Sequence, residues 1–254
     1  MFLISGLSDI GIKRSINQDS VYITRLQTSS GEMVFACVCD GMGGLKHGEI
    51  ASSLVIYAFR SWVHERLKYL TNTQFSQKDI IEQWSAIIAE QNDIIRRYGL
   101  SENILLGTTL TAILISQNDY FAVNIGDTRL YEITHESKII TKDHTFVQQE
   151  IDAGRMTKEE AEVSKRKHVL SRCVGIEESA EIDFYFGRVK KNAVYLICSD
   201  GFRHKVSCEE MAMYLNPEQI HTQLELNRKG EFLIELNKQR IEKDNISVAM
   251  VVSK

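Results

Sequence analysis

The sequence predicts an α+β fold in which antiparallel sheets are covered by helices, and three observations carry that reading. Six short apolar runs have the length of strands, and several are apolar at both alternating positions. Two longer stretches repeat their apolar residues at helical spacing. The two kinds of segment do not alternate strictly, and two strand-like runs are separated only by Ser116-Gln117-Asn118-Asp119, the gap of a hairpin.

The strand-like runs, in order, are Val21–Leu26, Met33–Cys39, Thr109–Ile115, Tyr120–Ile125, Ala193–Cys198 and Ile246–Val252. Apolar residues at both parities mean a strand covered on both faces. In Glu49–Leu67 the residues Ile50, Ala51, Leu54, Val55, Ala58 and Trp62 form one helical stripe. In Lys78–Tyr98 the stripe is Ile80, Ile81, Trp84, Ile87, Ile88, Ile94 and Ile95. Further helical patterns cover Cys208–Leu215 and Glu231–Ile241. The polar segment Thr141–Ala180 breaks the pattern, with only short helical stretches at Phe146–Ala153 and Lys158–Val163, and reads as an inserted flap. No internal repeat is present, although "VCDG" and "CSDG" echo each other.

A chain of 254 residues, 43% of them hydrophobic, fits one large domain (1–254) with the flap at 141–180 inside it. Thirty basic residues against 34 acidic ones give a net charge of −4, which argues against a nucleic-acid-binding surface. The apolar start MFLISGLSDIGIKR is too short for a signal-peptide core and lacks preceding positive charge. Nothing approaches the roughly 18 uninterrupted apolar residues of a membrane span. The five cysteines, Cys37, Cys39, Cys173, Cys198 and Cys208, are odd in number and irregularly spaced. Together these features predict a reduced, cytoplasmic setting without membrane or nucleic-acid partners.

What ends the strands carries the chemistry. Met33–Cys39 runs into Asp40-Gly41-Met42-Gly43-Gly44, Tyr120–Ile125 into Gly126-Asp127-Thr128-Arg129, and Ala193–Cys198 into Ser199-Asp200-Gly201, while Asp244-Asn245 precedes Ile246–Val252. Taken singly, Asp-Gly is turn chemistry. A turn should lead into a second alternating strand, yet a glycine-rich loop and helices follow here. In antiparallel sheets strand ends lie beside neighbouring strand starts, so Asp40, Asp127, Asp200 and Asp244 can converge on one rim. Clustered carboxylates repel one another unless a cation neutralises them. Ligation by oxygen alone favours Mg²⁺ or Mn²⁺ over Zn²⁺, and a pair of such ions can clamp a phosphoryl group. Gly41 lets the backbone approach closely enough to offer a carbonyl to a metal. Arg14 offers a planar fork for two phosphate oxygens, and Asp19 can orient a metal-bound water.

Six motifs in order, R-x-x-N-Q-D (Arg14–Asp19), D-G-M-G-G (Asp40–Gly44), G-T-T (Gly107–Thr109), G-D-T-R (Gly126–Arg129), S-D-G (Ser199–Gly201) and D-N-I-S (Asp244–Ser247), resemble the bacterial branch of the metal-dependent type 2C (PPM) protein phosphatases. The resemblance spans about Leu7 to Val252. It implies a four-layer α-β-β-α sandwich with a two-ion cleft at one end of the sheets. Asp40 would bridge both ions, the Gly41 carbonyl would bind one, and Asp200 and Asp244 would complete the other. Asp127 would share a third, weaker ion with Asp200. Arg14 would hold the phosphate, and Asp19 would contact metal-bound water. The implied reaction is direct attack of a metal-bridging hydroxide on phosphoserine or phosphothreonine, by a monomer that reverses a bacterial Ser/Thr kinase. Met42 stands where animal relatives carry a histidine proposed as general acid, so that role is unassigned. Gln18 replaces an acid found in some relatives.

Other readings weigh less. His47 reads as a solvated residue at a helix start, and His144 and His168 as polar flap residues within reach of substrate. Lys165-Arg166-Lys167 reads first as a solvated face and second as an attractor of acidic substrates. Ser199 lacks the surroundings of a nucleophile elbow. A non-catalytic module on the same fold should have lost a metal acid, and a two-metal nuclease should show a basic groove; neither feature is present.

Overall fold

Strands that are apolar at both parities need a partner on each face, and both partners are there. The structure, a computed structural model, describes residues 1–28, 31–42, 47–67 and 76–254; the Gly43-Gly44 part of the glycine-rich loop lies outside them. One sheet contains β1 (Phe2–Asp9), β7 (Arg129–Ile133), β8 (Ser137–Ile139), β10 (Ala193–Cys198) and β11 (Ile246–Ser253), in the order β1-β11-β10-β7-β8. The other contains β2 (Asp19–Thr28), β3 (Gly31–Met42), β5 (Leu110–Ile115), β6 (Asp119–Ile125) and β9 (Asp183–Arg188), in the order β2-β3-β5-β6-β9, with the short β4 (Gly107–Thr108) paired to β3. Every pairing is antiparallel.

Alternation along β3 shows how the layers form. Val34, Ala36 and Val38 point between the sheets, where they meet Ile113, Tyr195, Ile197 and Val251. Phe35, Cys37 and Cys39 point the other way, toward α1 (Gly48–Trp62) and α2 (Gln77–Glu102). There Phe35, Phe59, Trp62 and Trp84 pack with ring centroids 5.7–6.0 Å apart. On the opposite outer face, Leu196, Cys198, Val248 and Met250 pack under Met211, Leu226 and Leu233. These last three belong to α6 (Cys208–Tyr214) and α7 (Gln223–Gln239). The four-layer sandwich follows. Cys39 and Cys198 are buried core residues, and all five cysteines are free.

The expected hairpin is β5–β6, closed by the Ser116 amide donating to the Asp119 carbonyl at 2.9 Å. Some element boundaries shift. The expected helix Glu49–Leu67 is α1 followed by one π-helical turn, Val63–Leu67. The pattern read at Glu231–Ile241 is the second half of α7, which begins at Gln223 behind a Thr222–Glu225 capping box. In the segment read as a flap, α3 (Phe146–Asp152) and α4 (Lys158–Val163) match the two short patterns. The segment is pinned at its neck by a Thr145–Leu170 bridge and by the Ser171 amide donating to the His144 carbonyl. Among the described residues no helix is long and apolar enough to cross a membrane.

Gly41 sits where β3 ends against the start of α1. A Cβ there would lie 2.2 Å from the Gly48 carbonyl oxygen and 2.6 Å from that of Gln18, both backbone atoms. Gly41→Ala therefore forces α1 away from β3. We expect a loss of about 1–3 kcal/mol, or a melting temperature lower by several degrees, together with weaker Mn²⁺ binding in calorimetric titration. An unchanged melting temperature would refute the packing argument.

Candidate metal centre

A cleft of about 940 Å³ opens at one end of the two sheets. Its lining includes Arg14, Gln18, Asp40, Gly41, Asp127, Asp200 and Asp244, so the strand-end acids do converge on one rim. Asp19 stands beside them, paired in register with Asp40 across β2–β3. Asp19 and Asp40 come from one sheet, and Asp200 and Asp244 from the ends of β10 and β11 in the other. The site thus straddles the seam of the sandwich.

Hydrogen bonds fix Asp40 and the turns beside Asp127 and Asp244. The Asp40 amide donates to Thr109 Oγ1 at 2.9 Å, and its carbonyl accepts from the Thr109 amide and the Thr108 hydroxyl. Thr109 Oγ1 also contacts Thr128 Oγ1 at 2.5 Å, which ties Asp40 to the turn carrying Asp127. Asn245, beside Asp244, holds the turn that carries Arg14. Its Oδ1 accepts from the Gln18 amide, and its Nδ2 donates to the carbonyls of Ile10 and Ile16.

The charges are unevenly matched. Arg14 Nη2 lies 2.7 Å from Asp244 Oδ2. Arg203, from α5 (Asp200–Arg203), donates to the Asp127 carbonyl at 3.0 Å and approaches its Oδ2 at 3.4 Å. Burial would raise the Asp200 carboxyl, but hydrogen bonds from His168 and His204 hold it well below the usual range. Asp40 and Asp19 have no cationic side-chain partner among the described residues. Burial, then repulsion by Asp19, Asp200, Asp127 and Asp244, pushes Asp40 well above the carboxylate range. Burial raises Asp19 to about 7, despite hydrogen bonds to Ser247 and Ser199 that oppose it. Asp19 Oδ2 is buried without a hydrogen-bond partner. Asp127 rises to about 6, through burial and then the Asp200 charge.

An acid pair left without counter-charge at the floor of an otherwise neutralised cleft fits a hard divalent cation. Among the described residues no three acidic side chains each bring an oxygen within 4.8 Å of the others. Mg²⁺ and Mn²⁺ suit this spacing, because such ions are held by one or two carboxylates and keep several waters.

All seven residues singled out in the sequence lie at or beside the cleft. His47 begins α1 in a left-handed conformation and is not among the cleft-lining residues. His144 is buried rather than polar surface: Nδ1 accepts from the Gly126 amide at 3.1 Å, and Nε2 faces Asp183 at 3.1 Å. Sequence reasoning missed Thr109, Asn245, Arg203, His204 and Glu242. Thr109 and Asn245 stood inside the quoted motifs, and Arg203 and His204 lie three and four residues beyond Asp200, a helical spacing that could have flagged them; Glu242 is given away only by the folded chain.

A family model described as "Protein phosphatase 2C" matches residues 12–226. The protein phosphatase PhpP of Streptococcus pneumoniae is 30% identical over 252 residues, covering 98% of this chain and 96% of that one. The serine/threonine phosphatase of S. agalactiae superposes with a TM-score of 0.85 at 29% identity, with both chains fully covered. The catalytic domain of the serine/threonine protein phosphatase PstP, in complex with two manganese ions, superposes with a TM-score of 0.76 at 33% identity, covering 99% of each chain.

Proposed function

The chain belongs to the protein phosphatase 2C family as a bacterial protein serine/threonine phosphatase, and from that premise we propose that it hydrolyses phosphoserine and phosphothreonine by direct attack of water, without a phosphoenzyme. The observation that supports this most is the uncompensated pair Asp19–Asp40 at the floor of a cleft whose other acids already have partners. Asp40, the Gly41 carbonyl, Asp200 and Asp244 would hold two Mn²⁺ or Mg²⁺ ions. When bound, such ions activate water and neutralise charge developing on the phosphoryl oxygens.

The chain's own residues supply the rest. Arg14 is paired with Asp244 and nearly half its side chain is exposed, so it is free to turn its planar fork to two phosphate oxygens once Asp244 has another partner. Asp19, with one oxygen unpartnered, can accept a proton from water or orient it. Neither Ser199 nor the cysteines beside the acids are presented as nucleophiles: Ser199 accepts from the Ser247 amide at 3.0 Å, and Cys39 and Cys198 are fully buried. The physiological substrates would be proteins phosphorylated by a bacterial Ser/Thr kinase, met by a single-domain monomer in the cytoplasm with residues 141–180 as a flap. A third ion shared by Asp127 and Asp200 would have to displace Arg203 from Asp127.

The purified protein is expected to hydrolyse p-nitrophenyl phosphate with Mn²⁺ and to lose that activity in EDTA or on Asp200→Asn. In a phosphopeptide panel with Mn²⁺, phosphothreonine and phosphoserine should be turned over in preference to phosphotyrosine. Undiminished turnover in EDTA would overturn the metal mechanism, and a phosphotyrosine preference the substrate class.

A further inference from the structure

We propose that His168 and His204, together with Asp200 that they would share with the two-ion centre, form a chemically different cation site beside that centre, one that takes a nitrogen-preferring transition metal of the Zn²⁺ class and fastens the flap to the core. Among the described residues this is the trio of His, Cys, Asp or Glu whose ligand atoms already lie within 4.8 Å of one another. Asp200 Oδ2 stands 3.3 Å from His204 Nε2 and 3.7 Å from His168 Nδ1. Tetrahedral coordination with bonds of about 2.0–2.2 Å sets ligand atoms about 3.3–3.5 Å apart, so Asp200 and His204 already stand at that separation and His168 needs only a small swing.

A second observation points the same way. The other nitrogen of His204, Nδ1, faces Glu242 Oε2 at 3.4 Å. Glu242 is buried, and its Oε1 accepts from the amides of Lys243 and Asp244, so it cannot drift. A carboxylate behind an imidazole is the usual support of a metal-ligating histidine: it fixes the ring and its tautomer and aims the free nitrogen at the ion. Arg203 meanwhile approaches Asp127, so the carboxylate that would share a third ion with Asp200 already has a cationic partner. Two imidazoles and one carboxylate select Zn²⁺, Co²⁺ or Ni²⁺ over Mg²⁺.

The site joins separate parts of the fold. His168 comes from the returning limb of the flap segment, just before the Thr145–Leu170 bridge, whereas Asp200 and His204 lie at α5 beneath it. An ion here would tie the flap to the cleft wall. Lys165, Arg166 and Lys167 are exposed next to His168 and offer trypsin a place to report on that closure.

The metal-free full-length chain should be titrated with Co²⁺. A visible ligand-field band of the intensity given by four- or five-coordinate, nitrogen-ligated Co²⁺ is expected, displaced by stoichiometric Zn²⁺ and not by a large excess of Mg²⁺. Zn²⁺ should also slow tryptic cleavage after Lys165–Lys167 about tenfold where Mg²⁺ does not. In His168→Ala, a change at a half-exposed side chain, both the band and the protection should be lost. A Co²⁺ spectrum unchanged by His168→Ala, or equal cleavage of the wild type in Zn²⁺ and Mg²⁺, would overturn the proposal. These readouts follow metal binding rather than turnover, so their failure leaves the phosphatase reading untouched.

Discussion

Replacing Asp40 by Asn is expected to lower Mn²⁺-supported hydrolysis by about three orders of magnitude or more while raising the melting temperature of the metal-free protein. The two effects have one origin. Asp40 lies in a cleft where burial, and then four neighbouring acids, disfavour its charge, and among the described residues no cationic side chain pairs with it, Arg14 acting only from a distance. Asparagine keeps the shape and the backbone contacts to Thr108 and Thr109 but carries no charge. Each unit of pKa elevation corresponds to about 1.4 kcal/mol between the protonation states. Each kcal/mol shifts the melting temperature of a chain this size by about 2–4 °C, so a gain of several degrees at pH 8 in EDTA is expected. Differential scanning calorimetry and p-nitrophenyl phosphate turnover check the two halves. A variant that keeps a tenth of wild-type turnover, or melts below wild type in EDTA, would remove Asp40 from the centre of the site.

The pH dependence of the metal-free protein should run opposite to that of a chain held together by carboxylate ion pairs. Burial raises Asp19 to about 7 and Asp127 to about 6, and pushes Asp40 well up too, from an ordinary value of 3.8. Between its unfolded and folded pKa such a carboxyl binds more protons folded than unfolded. The stability it allows is therefore complete below about pH 4 and lost as pH climbs through the folded value. His204 acts in the same direction: burial lowers it, but Asp200 and Glu242 outweigh burial and raise it to about 9, so its contribution also fades at high pH. Asp200, held low, works the other way only in acid. In EDTA the melting temperature should thus be highest near pH 5 and fall toward pH 8 by roughly 5–10 °C. Mn²⁺ should flatten the curve and give its largest stabilisation at pH 8, because binding favours the ionised acids and releases their protons. A melting temperature in EDTA that rises from pH 5 to pH 8 would contradict this account.

Much of the fold and most of the site were legible for local reasons. A run such as Met33–Cys39 that is apolar at both parities declares a doubly covered strand, and an acid at its end is conspicuous. Asp40, Asp127, Asp200 and Asp244 could therefore be singled out before any geometry. The strands β1, β7 and β9 were not legible. β9 lies at a sheet edge and none of its residues is fully buried, so it lacks a continuous apolar run. β7 contains Glu132, whose burial is tolerable only because Lys190 and Tyr195 reach it from β10 and the turn before it. The pattern read at Glu231–Ile241 missed the first half of α7, which begins behind the Thr222–Glu225 capping box. Of the partners of Asp200, His204 is local, four residues on, but His168 is tertiary: it is 32 residues away, and nothing local ties it to Asp200. Arg14 drew its meaning from motif order, since a lone arginine in a polar turn has none.

The strand order of the first sheet bears on synthesis. β11 follows every other strand in the chain, yet it lies inside its sheet between β1 and β10, and Asp244 immediately precedes it. While the chain emerges from the ribosome, β1 has no partner, and the cleft lacks both Asp244 and the Asn245 that anchors the Arg14 turn. Domains fold vectorially as far as their contacts allow, but here the decisive contacts are the most distant in sequence. Nascent chains would carry a half-built sandwich that can neither concentrate cations nor attack phosphoproteins. Activity would appear only once β11 has slotted between β1 and β10.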